Sequence, residues 1–211
     1  MPKIKVDQIN FNKASGSGIK VDTASPTFPW HDIIGRVEPK ASGAGSPTRT
    51  AYIGGVYDYA FTANDQVDFS FHMLHDYAAG TDLFFHLHWS HSGTAVSGNL
   101  VVSYAATYAK GHNQANFITP ATGNVISYAT VDVATTPRYR HRIEEIQLTS
   151  LTPTAAQLDT AQLEVDGLIL ITCQVTSLPT VTGGNVFIHM GDIHYQSTGI
   201  GTKNKAPNFY T

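Results

Sequence analysis

Apolar side chains recur at every second position through much of this chain. Val67, Phe69, Phe71 and Met73 alternate with Asp68, Ser70 and His72. Leu83, Phe85, Leu87 and Trp89 alternate with Phe84, His86, His88 and Ser90. Leu100, Val102, Tyr104, Ala106 and Tyr108 continue the pattern. Successive side chains of an extended strand point to opposite faces, so each segment offers one face to a core and leaves the other free. Further strands are expected within 52–62, 124–133, 139–149, 168–176 and 186–195. No long stretch holds a 3.6-residue period; only 153–159, with Pro153 at its start, reads as a short helix. Asp166-Gly167 is a hairpin signal, because both residues tolerate the positive φ of a tight turn.

About eight short strands divided by turn residues imply a sandwich or a barrel. The expected fold class is all-β: a jelly-roll-like antiparallel β-sandwich with extended N- and C-terminal arms. Residues 1–50 read as the first arm, because Gly16, Gly18, Pro26, Pro29, Pro39, Gly43, Gly45 and Pro47 interrupt its short apolar runs. Ile4–Val6 and Ile19–Val21 are the pieces of this arm able to add strands to another sheet. Residues 51–195 form the sandwich and 196–211 a second arm ending in Phe209 and Tyr210.

Only 14% of the residues are charged, against roughly 25% in ordinary soluble domains. The polar surface is therefore mostly Thr, Ser, Asn, Gln and Gly, which a neighbour covers at low desolvation cost. A formal net charge of -3 without a basic cluster argues against a nucleic-acid partner. Nothing approaches ~18 consecutive apolar residues, and no N-terminal run resembles a signal peptide, so neither a membrane nor secretion is expected. The single cysteine, Cys173, lies in the apolar run 168–175 and reads as a buried thiol.

Histidine carries the strongest chemical signal. His86 and His88 share a strand face and have the spacing to chelate one metal. Gly80-x5-His86-x-His88 resembles the first half of the cupin metal motif, and Gly191-Asp-Ile-His194 faintly resembles the second. No Glu follows His88 within the next several residues, so the set His86, His88 and His194 lacks an anionic ligand. The expectation is accordingly that these histidines are polar surface or interface residues, with no metal and no cofactor. His91 falls on the opposite face of a regular strand.

Other catalytic patterns are absent. There is no Gly-x-Ser-x-Gly elbow, and Gly16-Ser-Gly18 and Gly199-Ile-Gly201 lack the third glycine and helix of a phosphate loop. Glu144 and Glu145 are adjacent, so a strand sends them to opposite faces and unsuits them for paired-carboxylate catalysis. Arg138, Arg140 and Arg142 would form one basic stripe along a strand, suited to edge protection. Tyr52, Tyr57, Tyr59, Phe61, Tyr77, Trp89, Tyr104 and Tyr108 read mainly as core, with a few available for stacking on a sugar.

Two terminal segments resemble small structural proteins of tailed bacteriophages. They are Ser25-Pro-Thr-Phe-Pro-Trp-His-Asp-Ile-Ile-Gly35 and Gly191-Asp-Ile-His-Tyr-Gln-Ser-Thr-Gly-Ile-Gly-Thr-Lys-Asn-Lys-Ala-Pro-Asn-Phe-Tyr210. The resemblance implies a non-enzymatic virion component made in the bacterial host cytoplasm. On this reading the chain is a capsid decoration (cement) protein, homotrimeric and docked on a major capsid or other virion protein. The alternatives are a fibre or spike module binding host glycans and a cupin-like metal-dependent enzyme. Trp30, Lys203, Lys205, Phe209 and Tyr210 are the expected interface residues, as aromatic anchors and charges on the two arms.

Overall fold

The computed structural model describes residues 28–128, 137–199, 201–202 and 204–209. Its strands are β1 (Trp30–Gly35), β2 (Glu38–Pro39), β3 (Thr48–Ile53), β4 (Val56–Phe61), β5 (Gln66–His72) and β6 (Phe84–His91). Then come β7 (Ala95–Ser97), β8 (Asn99–Ala109), β9 (Ala121–Tyr128), β10 (Arg142–Gln147), β11 (Thr149–Ser150) and β12 (Leu158–Asp159). The last are β13 (Leu168–Ser177), β14 (Thr180–Thr182) and β15 (Val186–Gln196).

Two antiparallel sheets face each other. The first has the order β10-β6-β15-β4-β3, with β1 also on β15; the second has the order β2-β5-β13-β8-β9. From β4 to β6 and again from β9 to β15 the main strands alternate between the sheets, as in a jelly roll. The fold is thus the expected all-β, jelly-roll-like sandwich.

The core lies where the two sets of inward side chains meet. Phe69 and Phe71 from β5, Phe85, Leu87 and Trp89 from β6, and Ile169, Ile171 and Cys173 from β13 are all buried. Phe85 packs against Phe69 and Phe71, with ring centroids 5.8 and 6.3 Å away. Burial pushes the Cys173 thiol far above its ordinary range, so it is an inert core group. Gly35 and Gly191 pair across β1 and β15. A Cβ on Gly35 would stand 2.5 Å from the Phe71 ring, and one on Gly191 would stand 2.8 Å from Phe85. The pair therefore lets the phenylalanine layer reach the backbone of the first sheet.

Several local expectations need correction. Residues 30–39 are not a free arm: β1 lies on β15 and β2 on β5. Pro39 ends its short strand at a sheet edge, where a missing donor costs nothing. The strand expected at 52–62 is a hairpin, β3–β4, folded at Gly54-Gly55. The helix expected at 153–159 is replaced by a 3-10 turn at Thr160–Gln162, capped by Asp159, whose Oδ1 accepts from the Ala161 amide at 2.9 Å. Asp166 does adopt a positive φ of 60°, but its turn leads from that 3-10 segment into β13 rather than joining two strands. Arg138 and Arg140 precede β10, so there is no arginine stripe; Arg138 donates to the Ser92 carbonyl at 2.6 Å.

At the C-terminal end, Ser197 and Thr198 are fastened to Asp76, and Phe209 is fully buried. The expected second arm therefore packs on its own sandwich. Ile4–Val6, Ile19–Val21, Lys203 and Tyr210 lie outside the described residues.

Candidate functional site

The outward face of the first sheet carries an unusual set of side chains, and its register explains how they meet. Antiparallel neighbours that stand opposite share a face. Gln147, Phe84, His194 and Asp32 form one row across β10, β6, β15 and β1. Glu145, His86, Asp192 and Ile34 form the next, and Ile143, His88 and Met190 a third. Trp30 lies above the first row, opposite Gln196. These outward positions hold three carboxylates and three histidines but no lysine or arginine.

The polar groups form two hydrogen-bonded clusters that meet where the His86 and His194 rings lie 4.9 Å apart. His88 Nε2 makes a short contact with Asp192 Oδ2, and His88 Nδ1 lies 2.7 Å from His141 Nε2. His86 Nε2 lies 2.8 Å from Glu145 Oε2, and His86 Nδ1 lies 3.0 Å from Asp192 Oδ1. That last separation is an ion-pair distance without hydrogen-bond geometry, and Asp192 Oδ1 has no hydrogen-bond partner although Asp192 is 3% exposed. His194 Nδ1 is 2.6 Å from Asp32 Oδ1, and its ring stacks on Trp30 with centroids 4.8 Å apart. Trp30 remains 45% exposed.

Past His141, whose ring meets that of His189 edge-on with centroids 6.5 Å apart, lies a further polar group. Ser90 Oγ links Tyr52 Oη, at 2.7 Å, to His189 Nε2, at 2.8 Å, and His189 Nδ1 meets Asp58 Oδ2 at 2.6 Å. Tyr52 also packs on Phe187 and Tyr139, sealing this end of the face. Burial, then the charges of His88 and His189, hold His141 below the ordinary imidazole range.

The structure thus brings together all three sequence candidates, His86, His88 and His194, with His91 buried on the other side of β6. It also supplies two carboxylates that sequence reading missed. Asp192 was hidden because its partners lie on β6, about a hundred residues earlier; the signal was its i−2 spacing to His194, which places both on one face. Asp32 was hidden inside the segment read as an arm. Two triads have ligating atoms within 4.8 Å of one another: His86, His88 and Asp192, and Asp32, His86 and His194. Glu144 and Glu145 point to opposite faces as expected: Glu144 accepts from Trp89 Nε1 at 3.0 Å, while Glu145 meets His86.

A second histidine cluster occupies the end of the second sheet. Asp166 Oδ1 lies 2.8 Å from His75 Nε2 and 3.5 Å from His72 Nε2, and Asp166 Oδ2 lies 2.8 Å from His112 Nε2. Phe209 rests against the rings of His75 and His112, so this cluster docks the C-terminal segment. The expected interface residue Phe209 therefore packs within its own chain, whereas Trp30 and Lys205 are exposed.

No family model matches the chain, and no curated protein matches it. Among solved structures it is similar to TmCBM61 in complex with β-1,4-galactotriose, at 12% sequence identity and a TM-score of 0.27. The likeness covers 80% of this chain and 89% of that one. An identity and a TM-score this low say nothing about what this chain binds.

Proposed function

We propose that the chain is a non-enzymatic structural module of a tailed-phage virion, a capsid decoration protein that docks through the outer face of its first sheet. One observation supports this reading above the others. Parts of the two terminal segments that resemble phage structural proteins meet in space, because Trp30–Gly35 and Gly191–Gln196 pair in continuous register as β1 and β15. Segments some 160 residues apart in sequence thus share one patch, and that patch exposes Trp30 at 45% and Ile34 at 70%. Exposed aromatic and branched side chains on a sheet face suit a protein partner. The test is to purify virions of the source phage and locate the chain by mass spectrometry and electron microscopy. Density on the capsid surface is the expected result; absence of the chain from intact particles overturns the reading.

A second reading, a fibre module that binds host glycans, is favoured by Trp30 itself. An exposed indole stacked on His194, with the Asp32 carboxylate 2.6 Å from that histidine, offers a stacking plane beside a hydrogen-bond acceptor. A glycan array on the purified chain separates the two, since decoration requires no sugar.

A further inference from the structure

We propose that His86, His88 and Asp192 form a binding site for one divalent transition-metal ion of the zinc class. The inference is independent of the virion reading.

The resemblance to a cupin site stopped at a missing anionic ligand. The sheet supplies that ligand from another strand. Asp192 stands directly opposite His86 on β15, and the bulge between Ile188 and Met190 sets the register that puts it there. Its carboxylate lies between the two imidazoles, Oδ1 toward His86 Nδ1 and Oδ2 toward His88 Nε2. Around an ion with bonds of about 2.0–2.1 Å, neighbouring ligand atoms sit roughly 3.0–3.4 Å apart. The 3.0 Å between His86 Nδ1 and Asp192 Oδ1 matches that spacing.

The buried oxygen is the independent sign. Asp192 Oδ1 makes no hydrogen bond in a residue 3% exposed, and an ionised oxygen left so is costly unless a cation faces it. Nδ1 of His86 stands beside it as a second ligand of one ion stands, not as a donor aimed at an acceptor. No lysine or arginine occupies the outward positions of β1, β6, β10 or β15 to neutralise the charge.

The groups behind the ligands also fit. A metal-bound imidazole donates its other N–H to an acceptor that fixes the ring. With His86 ligating through Nδ1, its Nε2–H points to Glu145 Oε2 at 2.8 Å. With His88 ligating through Nε2, its Nδ1–H points to His141 Nε2 at 2.7 Å. Two imidazoles with one carboxylate select Zn²⁺, Co²⁺ or Ni²⁺ over Ca²⁺ and Mg²⁺, which require mostly oxygen. Three protein ligands leave a position for water or for an oxygen of a bound partner.

The experiment uses the full chain, purified without a polyhistidine tag and stripped with chelator. Titration with ZnCl₂ followed by calorimetry is expected to show one ion per chain, with Zn²⁺ raising the melting temperature. Asp192→Asn is expected to weaken binding by more than about 100-fold, and Glu145→Gln by about 10- to 100-fold, the range for a supporting group. His75→Ala, in the other histidine cluster, leaves binding unchanged. Should Asp192→Asn fail to fold, His86→Ala serves as the second variant, and loss of the visible spectrum of bound Co²⁺ in it reads the same site. Absence of stoichiometric Zn²⁺ overturns the proposal. So does binding that survives Asp192→Asn, or binding lost in Asp32→Asn but retained in His88→Ala, which would place the ion in the other triad.

Discussion

Charge on single carboxylates decides much of this molecule's chemistry, and Asp166 shows how. Burial alone would raise its pKa, but the hydrogen bond from His112 and the charges of His75 and His72 outweigh burial and hold it below the ordinary carboxylate range. A group depressed in the folded state contributes stability that is fully present above its unfolded value, near ~3.9 for Asp. That contribution is lost as pH falls through the folded value. We predict that the wild-type chain loses stability as pH falls below about 4, and that Asp166→Asn flattens this acid limb. Urea melts across the acid range measure it. Equal acid slopes in both proteins would remove Asp166 from the account.

At the scale of elements, strands were legible and their ends were not. Alternation in 67–73, 83–90 and 100–108 gave β5, β6 and β8, because core burial on one face leaves a period of two in the sequence. The strand β1 left no such trace. Its outward Trp30 and Ile34 are as apolar as its inward Ile33, so Trp30–Gly35 lacks the contrast that marks a one-sided strand. The histidine pair on β6 was legible from spacing. Its carboxylate partner was not, since pairing between β6 and β15 is a long-range fact. The C-terminal segment misled for a related reason: Phe209 sits among glycines, lysines and a proline in the sequence, but finds a pocket against His75 and His112. We predict that Phe209→Ala lowers unfolding free energy by about 3 kcal/mol, the low end for a buried ring because the segment lies at the surface. Deleting residues 203–211 should cost about the same and leave a cooperative melt. A change below about 0.5 kcal/mol would mean that the segment merely rests on the sandwich.

For the whole molecule, the two outer faces differ in kind, and the difference argues for one working face. The second sheet presents mainly neutral polar groups, Ser103, Thr107, Thr122, Asn124, Thr172 and Gln174, with Glu38 and Asp68 opposite each other at its edge. The first presents Trp30, Ile34 and Ile143 around the histidine–carboxylate network. The second face has apolar exceptions: Ile126 and Leu170 are 41% and 37% exposed. Those two side chains are the natural controls. A central indole in a docked interface is commonly worth about 2 kcal/mol or more, roughly a 30-fold change in affinity. We therefore predict that Trp30→Ala and Ile34→Ala leave the melt close to wild type, because neither side chain enters the core. Both should weaken co-sedimentation with virions stripped of this chain, Trp30→Ala by about 30-fold. Ile126→Ala and Leu170→Ala should do neither. If all four variants sediment alike, the first sheet is not the docking face. If Trp30→Ala abolishes glycan binding and spares sedimentation, the same face reads sugar instead of capsid.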